Sequence, residues 1–258
     1  GFPKFDKHYI RMIPKPRIGL MGTSRGCVNH CDFCADRMKW RPFRPRPVRD
    51  IVDEISYNLN KLGTKDFFFA DSATNASIEH LEQLCDALIR QVKGISISTS
   101  VMVRSQMTPR LFDKMVKAGF RILKWGIETG SDTVLEAMGK RGRIADAERN
   151  LRDSRNAGMS NFIFIMLGHP AEGDAEVEET IGFLRRNHDV IDLIEMMQPC
   201  YIQQGTRLAE NMNQKGIVVP GDLYEFGSWI LDGNNLFERQ HRVHEVHEEA
   251  VRLGIPVN

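Results

Sequence analysis

One rhythm constrains the fold of this chain more than any single residue: short apolar runs alternate with longer stretches whose apolar residues recur every three or four positions. Strand-length runs fall at 17–21, 67–70, 95–103, 122–127, 162–167 and 191–197. Helical spacing fills 48–62, 78–92, 108–118, 131–138, 144–157 and 174–187. The helix over 108–118 is announced by Thr108-Pro109 and stopped by Gly119. Six alternations predict a parallel sheet with its helices outside. Six units are too few to close the usual eight-stranded barrel, so the expected α/β fold is a partial (βα)6 barrel, open along one side and able to admit a large substrate. After Gly205 the rhythm stops; Gly216, Pro220, Gly221 and Gly233 interrupt the chain, and 236–253 reads as a charged helix. The expected organisation is a proline-broken lead-in over 1–16, the barrel over 17–205, and a helical C-terminal extension over 206–258. A chain of 258 residues is the right size to form this as one domain.

Parallel α/β folds gather their functional groups at the C-terminal ends of the strands. The first run here leads straight into Cys27-Val28-Asn29-His30-Cys31-Asp32-Phe33-Cys34, which places three thiols within eight residues. Thiolates bind zinc and iron–sulfur clusters, and three of them leave a four-coordinate site one ligand short. Zinc would need a fourth protein ligand, yet His30 adjoins Cys31, where neighbouring side chains diverge, and no second cysteine half-site exists. A disulfide framework would leave one of the five cysteines unpaired, and no secretory signal opens the chain. The third reading is a 4Fe-4S cluster with one iron open. Cys85 falls on the apolar spacing of 78–92 and reads as a core thiol.

Charge narrows the partners. With 35 basic and 34 acidic side chains the net charge is +1, which gives no global reason to expect nucleic acid or an anionic membrane. No apolar run approaches the roughly 20 residues of a membrane-spanning helix, and a reducing, cytoplasmic setting is expected. The local exception is 37–49, where Arg37, Lys39, Arg41, Arg44, Arg46 and Arg49 occur with no acid, interleaved with Trp40 and Phe43. This stretch is expected to cover the cysteine loop and neutralise a bound carboxylate. Its rival reading is the footprint of a metal-cluster nucleic-acid-binding module.

The spacing Cys-x-x-x-Cys-x-aromatic-Cys resembles the signature of the radical S-adenosylmethionine superfamily, which Cys27, Cys31, Phe33 and Cys34 match in full. The resemblance implies that the three cysteines hold a 4Fe-4S cluster and that S-adenosylmethionine chelates the open iron, with Phe33 near its adenine. It further implies reductive cleavage to a 5′-deoxyadenosyl radical that abstracts hydrogen from an unidentified substrate, and an electron donor such as flavodoxin or ferredoxin. The likeness runs from Thr23 to about Thr206. Gly126-Ile127-Glu128-Thr129-Gly130-Ser131 is similar to the Gly-Ile-Glu-Ser-Gly-Ser of a cobalamin-associated subgroup, which makes Glu128 a cofactor-binding carboxylate. Gly168 would let the backbone approach adenine closely. Asp71 stands where many members carry the Gly-Gly-Glu-Pro that holds the methionine amino group; the segment looks like an Asp-containing version seen in cobalamin-associated subgroups, which makes Asp71 the cofactor-binding candidate there. Arg104 is the candidate partner of the cofactor carboxylate, with a surface arginine as the alternative.

His169, Cys200 and Tyr201 are the candidate catalytic residues at the ends of the fifth and sixth strands. His169 is read as a proton donor or substrate contact, and Cys200 or Tyr201 as a hydrogen-atom donor. A turn histidine and ordinary packing are the plainer readings. The subgroup often transfers methyl groups through cobalamin bound by an N-terminal domain. This chain offers only Asp6-Lys7-His8, with Arg11 where that motif has Gly, so a cobalamin-dependent radical methyltransferase would need cobalamin from elsewhere.

Overall fold

A computed structural model describes residues 18–36, 42–220 and 228–258. The expected lead-in over 1–16 and the sequence Asp6-Lys7-His8 lie outside the described residues. In chain order the strands are β1 (Ile18–Met21), β2 (Ser24–Arg25), β3 (Arg44–Pro45), β4 (Asp66–Phe69), β5 (Ser96–Val101), β6 (Phe120–Glu128), β7 (Ser160–Leu167) and β8 (Leu193–Pro199). The helices are α1 (Val48–Leu62), α2 (Ile78–Gln91), α3 (Pro109–Ala118), α4 (Asp132–Ala137), α5 (Ile144–Asn156), α6 (Asp174–Asn187), α7 (Arg207–Glu210) and α8 (Leu236–Arg252).

Six strands form one sheet in the order β1-β4-β5-β6-β7-β8, and every neighbouring pair is parallel. No pairing joins β1 to β8 among the described residues, so the sheet is not closed. The helix boundaries follow local chemistry. Ser77 accepts the His80 amide at 3.2 Å to cap α2, and Thr108 accepts that of Leu111 at 3.3 Å ahead of Pro109. Gly119 ends α3 at φ +106, and β6 starts on the very next residue, two positions before the apolar run in the sequence begins.

Pleat parity divides the sheet into two faces. Phe67, Phe69, Ile97, Leu123, Trp125, Ile163 and Ile194 are fully buried against the outer helices. Phe68, Ser98, Lys124 and Glu128 alternate with them on the other face. The Lys124 ammonium ion-pairs with Glu195 on β8 and lies 4.9 Å from the ring centroid of Phe68 on β4. Those two strands stand four steps apart, about 19 Å on a flat sheet at ~4.8 Å per step. One ammonium can touch both only if the sheet is strongly concave on this face. The fold is thus an open, curved parallel sheet wrapped by helices, with a partly buried charged pair inside its curve.

The two edges are treated differently. Beside β8 the chain's own C-terminal tail adds a bridge: Ile194 donates to Pro256 O at 2.9 Å, and Asn258 donates to Ile194 O at 3.1 Å. Helix α8 packs against β8 and α6. At the β1 edge, Ile18 and Leu20 are 65% and 71% exposed.

Candidate functional site

The cysteine loop leaves the C-terminal end of β1 and is braced from several sides. Asp71, just past β4, accepts the Thr23 amide at 2.7 Å, the Ser24 amide at 2.9 Å, the Thr74 hydroxyl at 2.9 Å and the Thr23 hydroxyl. It is buried, and both of its oxygens are engaged by its own chain. Asp71 therefore holds the start of the loop in place. Further on, Asp32 donates its amide to Met138 O at 2.8 Å and accepts the Leu208 amide on its carbonyl at 2.9 Å. Its carboxylate lies 3.3 Å from Nε2 of His169, which is fully buried. Since the Ala171 amide donates to Nδ1 at 3.2 Å, the imidazole proton is on Nε2 and is given to Asp32. His169 is therefore a clamp between the end of β7 and the cysteine loop.

Cys27, Cys31 and Cys34 are half-buried free thiols. Burial pushes the Cys31 thiol up to about 12 despite the opposing pull of Lys140, and burial raises Cys34 as well. Among the described residues, no three His, Cys, Asp or Glu side chains converge to hold a single metal ion. Three thiols on one short loop are the donor set that an iron–sulfur cluster takes, one thiolate on each of three irons. Asn29 Oδ1, in the loop itself, and Ser131 Oγ, beyond the end of β6, are buried without a protein partner, which leaves polar groups for a ligand to satisfy.

The charge facing these thiols comes from a residue that the sequence did not single out. Lys140, just after α4, pairs with Glu128 at 2.7 Å, and the two side chains are only 8% and 15% exposed. Burial opposes the ammonium, but Glu128 and the Cys31 sulfur together hold its pKa above the ordinary lysine value. Glu128 sits at φ +70, a left-handed conformation rare for its type, and folds back over Gly126. A Cβ on Gly126 would lie 2.8 Å from Glu128 Oε1 and 2.9 Å from Lys140 Nζ. Glycine is required there because the ion pair occupies the space. The signal available in the sequence was the Gly-Lys at 139–140, but nothing in its spacing tied it to the cysteines.

The remaining expected site residues are distributed as follows. Arg104 donates to the carbonyls of Asn75 and Ala76 at 3.0 and 2.6 Å; burial and the nearby Arg141 lower its pKa while Cys27 opposes them, so it borders the loop. Phe33 packs half-buried on an apolar group that includes Met138, Met166 and Cys200. Cys200 is fully buried there, and desolvation raises its thiol pKa strongly. Tyr201 is half-buried beside it. Gly168 has φ +80, and a Cβ on it would overlap the aliphatic stem of Arg239 from α8. That contact gives a local reason for the glycine. Cys85 is a fully buried core residue. Phe43, Cys27 and Val28 pack against the same buried group of Ala73, Ala76 and Met102, while the segment 37–41 lies outside the described residues.

Comparison with known proteins bears on this arrangement. Residues 21–184 match the profile of the Radical SAM superfamily. The chain is 29% identical over 220 residues to ribosomal protein uS12 methylthiotransferase RimO of a Nitratiruptor species, covering 81% of this chain and 48% of that protein. It is 28% identical over 159 residues to cytidylyl-2-hydroxyethylphosphonate methyltransferase of Streptomyces wedmorensis, covering 60% of this chain and 29% of that protein. The chain thus spans less than half the length of either relative. Among solved structures, the radical S-adenosylmethionine methyltransferase TsrM from Kitasatospora setae superimposes with a TM-score of 0.69 at 21% identity, over 76% of this chain and 39% of that one. The cobalamin-dependent S-adenosylmethionine radical enzyme OxsB superimposes at 0.59 with 20% identity, over 89% and 36%.

Proposed function

The chain belongs to the radical SAM superfamily, and on that premise we propose that it is the catalytic barrel of an enzyme that cleaves S-adenosylmethionine reductively and uses the resulting radical on a substrate not yet identified. The observation that carries this is the Lys140–Glu128 pair, buried at the end of β6 and turned toward the cysteine loop.

Cys27, Cys31 and Cys34 would hold a 4Fe-4S cluster, leaving one iron for the amino and carboxylate groups of S-adenosylmethionine. When bound, the cluster and S-adenosylmethionine supply one-electron cleavage of a sulfonium carbon–sulfur bond. The chain's own contribution is placement. Lys140 and Arg104 offer cations to a carboxylate beside the loop, and Glu128 offers an acceptor for ammonium or ribose hydroxyls. Phe33 gives an apolar surface next to the cysteines. Asp71 and the His169–Asp32 contact keep the loop from shifting when ligands enter, which preserves alignment over the concave face. Within that curve Phe68, Lys124 and Glu195 form the wall a substrate would meet.

A second reading, the catalytic part of a cobalamin-dependent methyltransferase, is favoured by the likeness to TsrM and OxsB, whose structures carry cobalamin. Cobalamin would then come from outside the barrel.

The test is anaerobic. Reconstituted with iron and sulfide and then reduced, the protein is expected to convert S-adenosylmethionine to 5′-deoxyadenosine. Cys31→Ala should abolish the product, and Lys140→Met should raise the concentration of S-adenosylmethionine needed for half-maximal rate by about tenfold or more, as for a lost charge-assisted contact. Full iron loading with no cleavage would contradict the proposal.

A further inference from the structure

The C-terminal extension meets the barrel through one deeply placed side chain. Arg239, in the first turn of α8, is fully buried. Its aliphatic stem presses on Gly168 at the end of β7, where a Cβ would lie 2.2 Å from Arg239 Cγ. Its guanidinium lies 3.7 Å from the ring centroid of Trp229 and donates to Trp229 O at 3.1 Å, to Asn234 O at 2.9 Å and to Asn234 Oδ1 at 3.2 Å. Each of those two neighbours reaches a strand end in turn. The Asn234 side-chain amide donates to Gly168 O at 3.2 Å, and the Trp229 indole donates to Cys200 O at 3.0 Å. One arginine thereby ties the ends of β7 and β8 together. Both ends lead back to the cysteine loop. Gly168 is followed by His169, whose imidazole holds the Asp32 carboxylate. Trp229 and Cys200 belong to the apolar group with Met138, Met166 and Leu208 on which Phe33 packs, and the Leu208 amide donates to Asp32 O at 2.9 Å. Asp32 and Phe33 are the two residues between Cys31 and Cys34. The stretch between those thiols is thus gripped through the same neighbours that Arg239 ties together.

We propose that Arg239 is a positioning residue for the cysteine loop: by fixing Gly168 and Trp229 it sets where Asp32 and Phe33 sit, and so how the Cys31 and Cys34 sulfurs point. The inference rests on the radical-enzyme reading, in which those sulfurs carry a cluster whose open iron takes S-adenosylmethionine. Small errors of aim in such a site cost affinity and rate. The side-chain type matters for a physical reason. An apolar residue of similar length fills the space beside Gly168 but fixes no angle. A planar guanidinium bonded to three oxygens while stacked on an indole holds both partners in one orientation. Lysine keeps the stem and the cation and loses the planar fork.

The experiment compares the wild type with Arg239→Met, Arg239→Lys and Trp229→Phe, the last keeping an aromatic ring against the guanidinium while removing the bond to Cys200 O. In protein prepared without iron, hydrogen–deuterium exchange at the Asp32 and Leu208 amides should be about tenfold faster in Arg239→Met, with the amides of β4 and β5 unchanged. In the reconstituted, reduced protein, Arg239→Met should load as much iron as the wild type. It should need about tenfold or more S-adenosylmethionine to change half of the electron paramagnetic resonance signal. Arg239→Lys should recover most of that loss, and Trp229→Phe should fall between wild type and Arg239→Met. A role in packing alone predicts otherwise. Unfolding temperature and iron loading would then drop together in Arg239→Met and Arg239→Lys alike, while the loaded fraction kept the wild-type S-adenosylmethionine midpoint; that result overturns the proposal. Unchanged exchange at Asp32 overturns it as well. If Arg239→Met does not fold, the same two measurements on Trp229→Phe replace it, and wild-type behaviour in both is equally fatal. Failure of the wild-type protein to load iron is a separate result: it contradicts the radical-enzyme reading, while exchange at Asp32 still tests the grip of Arg239 on the loop.

Discussion

At the scale of single residues, the molecule keeps several charged groups where water is scarce, and each has a consequence. Glu172, after β7, accepts the Gly168 amide, but its Oε1 is buried without a partner. Burial raises its pKa from 4.5 to about 7, against the pull of the Gly168 amide and Arg242. A carboxyl whose folded pKa lies above its unfolded value binds more protons in the folded state between the two. Its contribution to stability is therefore complete below about 4.5 and is lost as pH rises through about 7. The thermal unfolding temperature of the wild type should fall over that window, by an amount on the order of 3 kcal/mol in stability, and Glu172→Gln should flatten the decline. Parallel pH profiles in the two proteins would show that Glu172 does not titrate there. At this scale the sequence was only partly legible. The cysteines were evident because three thiols in eight residues have few uses, and Glu128 because residues 126–131 resemble a motif in which that carboxylate binds the cofactor. The partner of Glu128, Lys140, was hidden, since contact between positions 12 apart depends on a strand ending in a left-handed residue and a short helix folding back.

At the scale of elements, the alternation of periods was enough to locate the six main strands and their helices, because period two and period 3.6 are imposed by the backbone itself. The boundaries of α1 and α6 agree with the spacing, while β6 and β7 each begin two residues earlier than their apolar runs, because Arg121, Ser160 and Asn161 interrupt the apolar pattern at the strand starts. The β2–β3 hairpin was not anticipated, since two-residue strands carry no periodic signal. Packing between elements adds a demand invisible in the pattern. Gly130 lies against α6, and a Cβ there would be 2.5 Å from Thr180 Cα and 2.7 Å from Glu179 O. Backbone atoms cannot step aside as a flexible side chain can. Gly130→Ala should therefore cost about 2–3 kcal/mol or more, measured by denaturant unfolding, because α6 must move off the end of β6. A loss below about 0.5 kcal/mol would mean that this contact is looser than described.

At the scale of the whole molecule, the curved sheet places the cysteine loop at one end of a concavity whose wall mixes an aromatic ring with an ion pair. The open edge follows from six strands being too few for closure, a feature that the count of alternations made plain. The depth and lining of the concavity were not legible, because they depend on how far the sheet bends and on which side chains meet across it, as Lys124 meets both Phe68 and Glu195. The family match and the superpositions agree with this architecture. Among the described residues no helix is long and apolar enough to cross a membrane. What the concavity accepts is a matter for its wall and for partners beyond the barrel.

The most direct test of the central claim is electron paramagnetic resonance of the anaerobically reconstituted, reduced protein with and without S-adenosylmethionine. About four irons per chain, with a cluster signal that changes shape when S-adenosylmethionine is added, is the predicted result, since only an iron left open by three cysteines can be reached by the added molecule. A signal that S-adenosylmethionine leaves untouched, or stoichiometric zinc in place of iron, would contradict it.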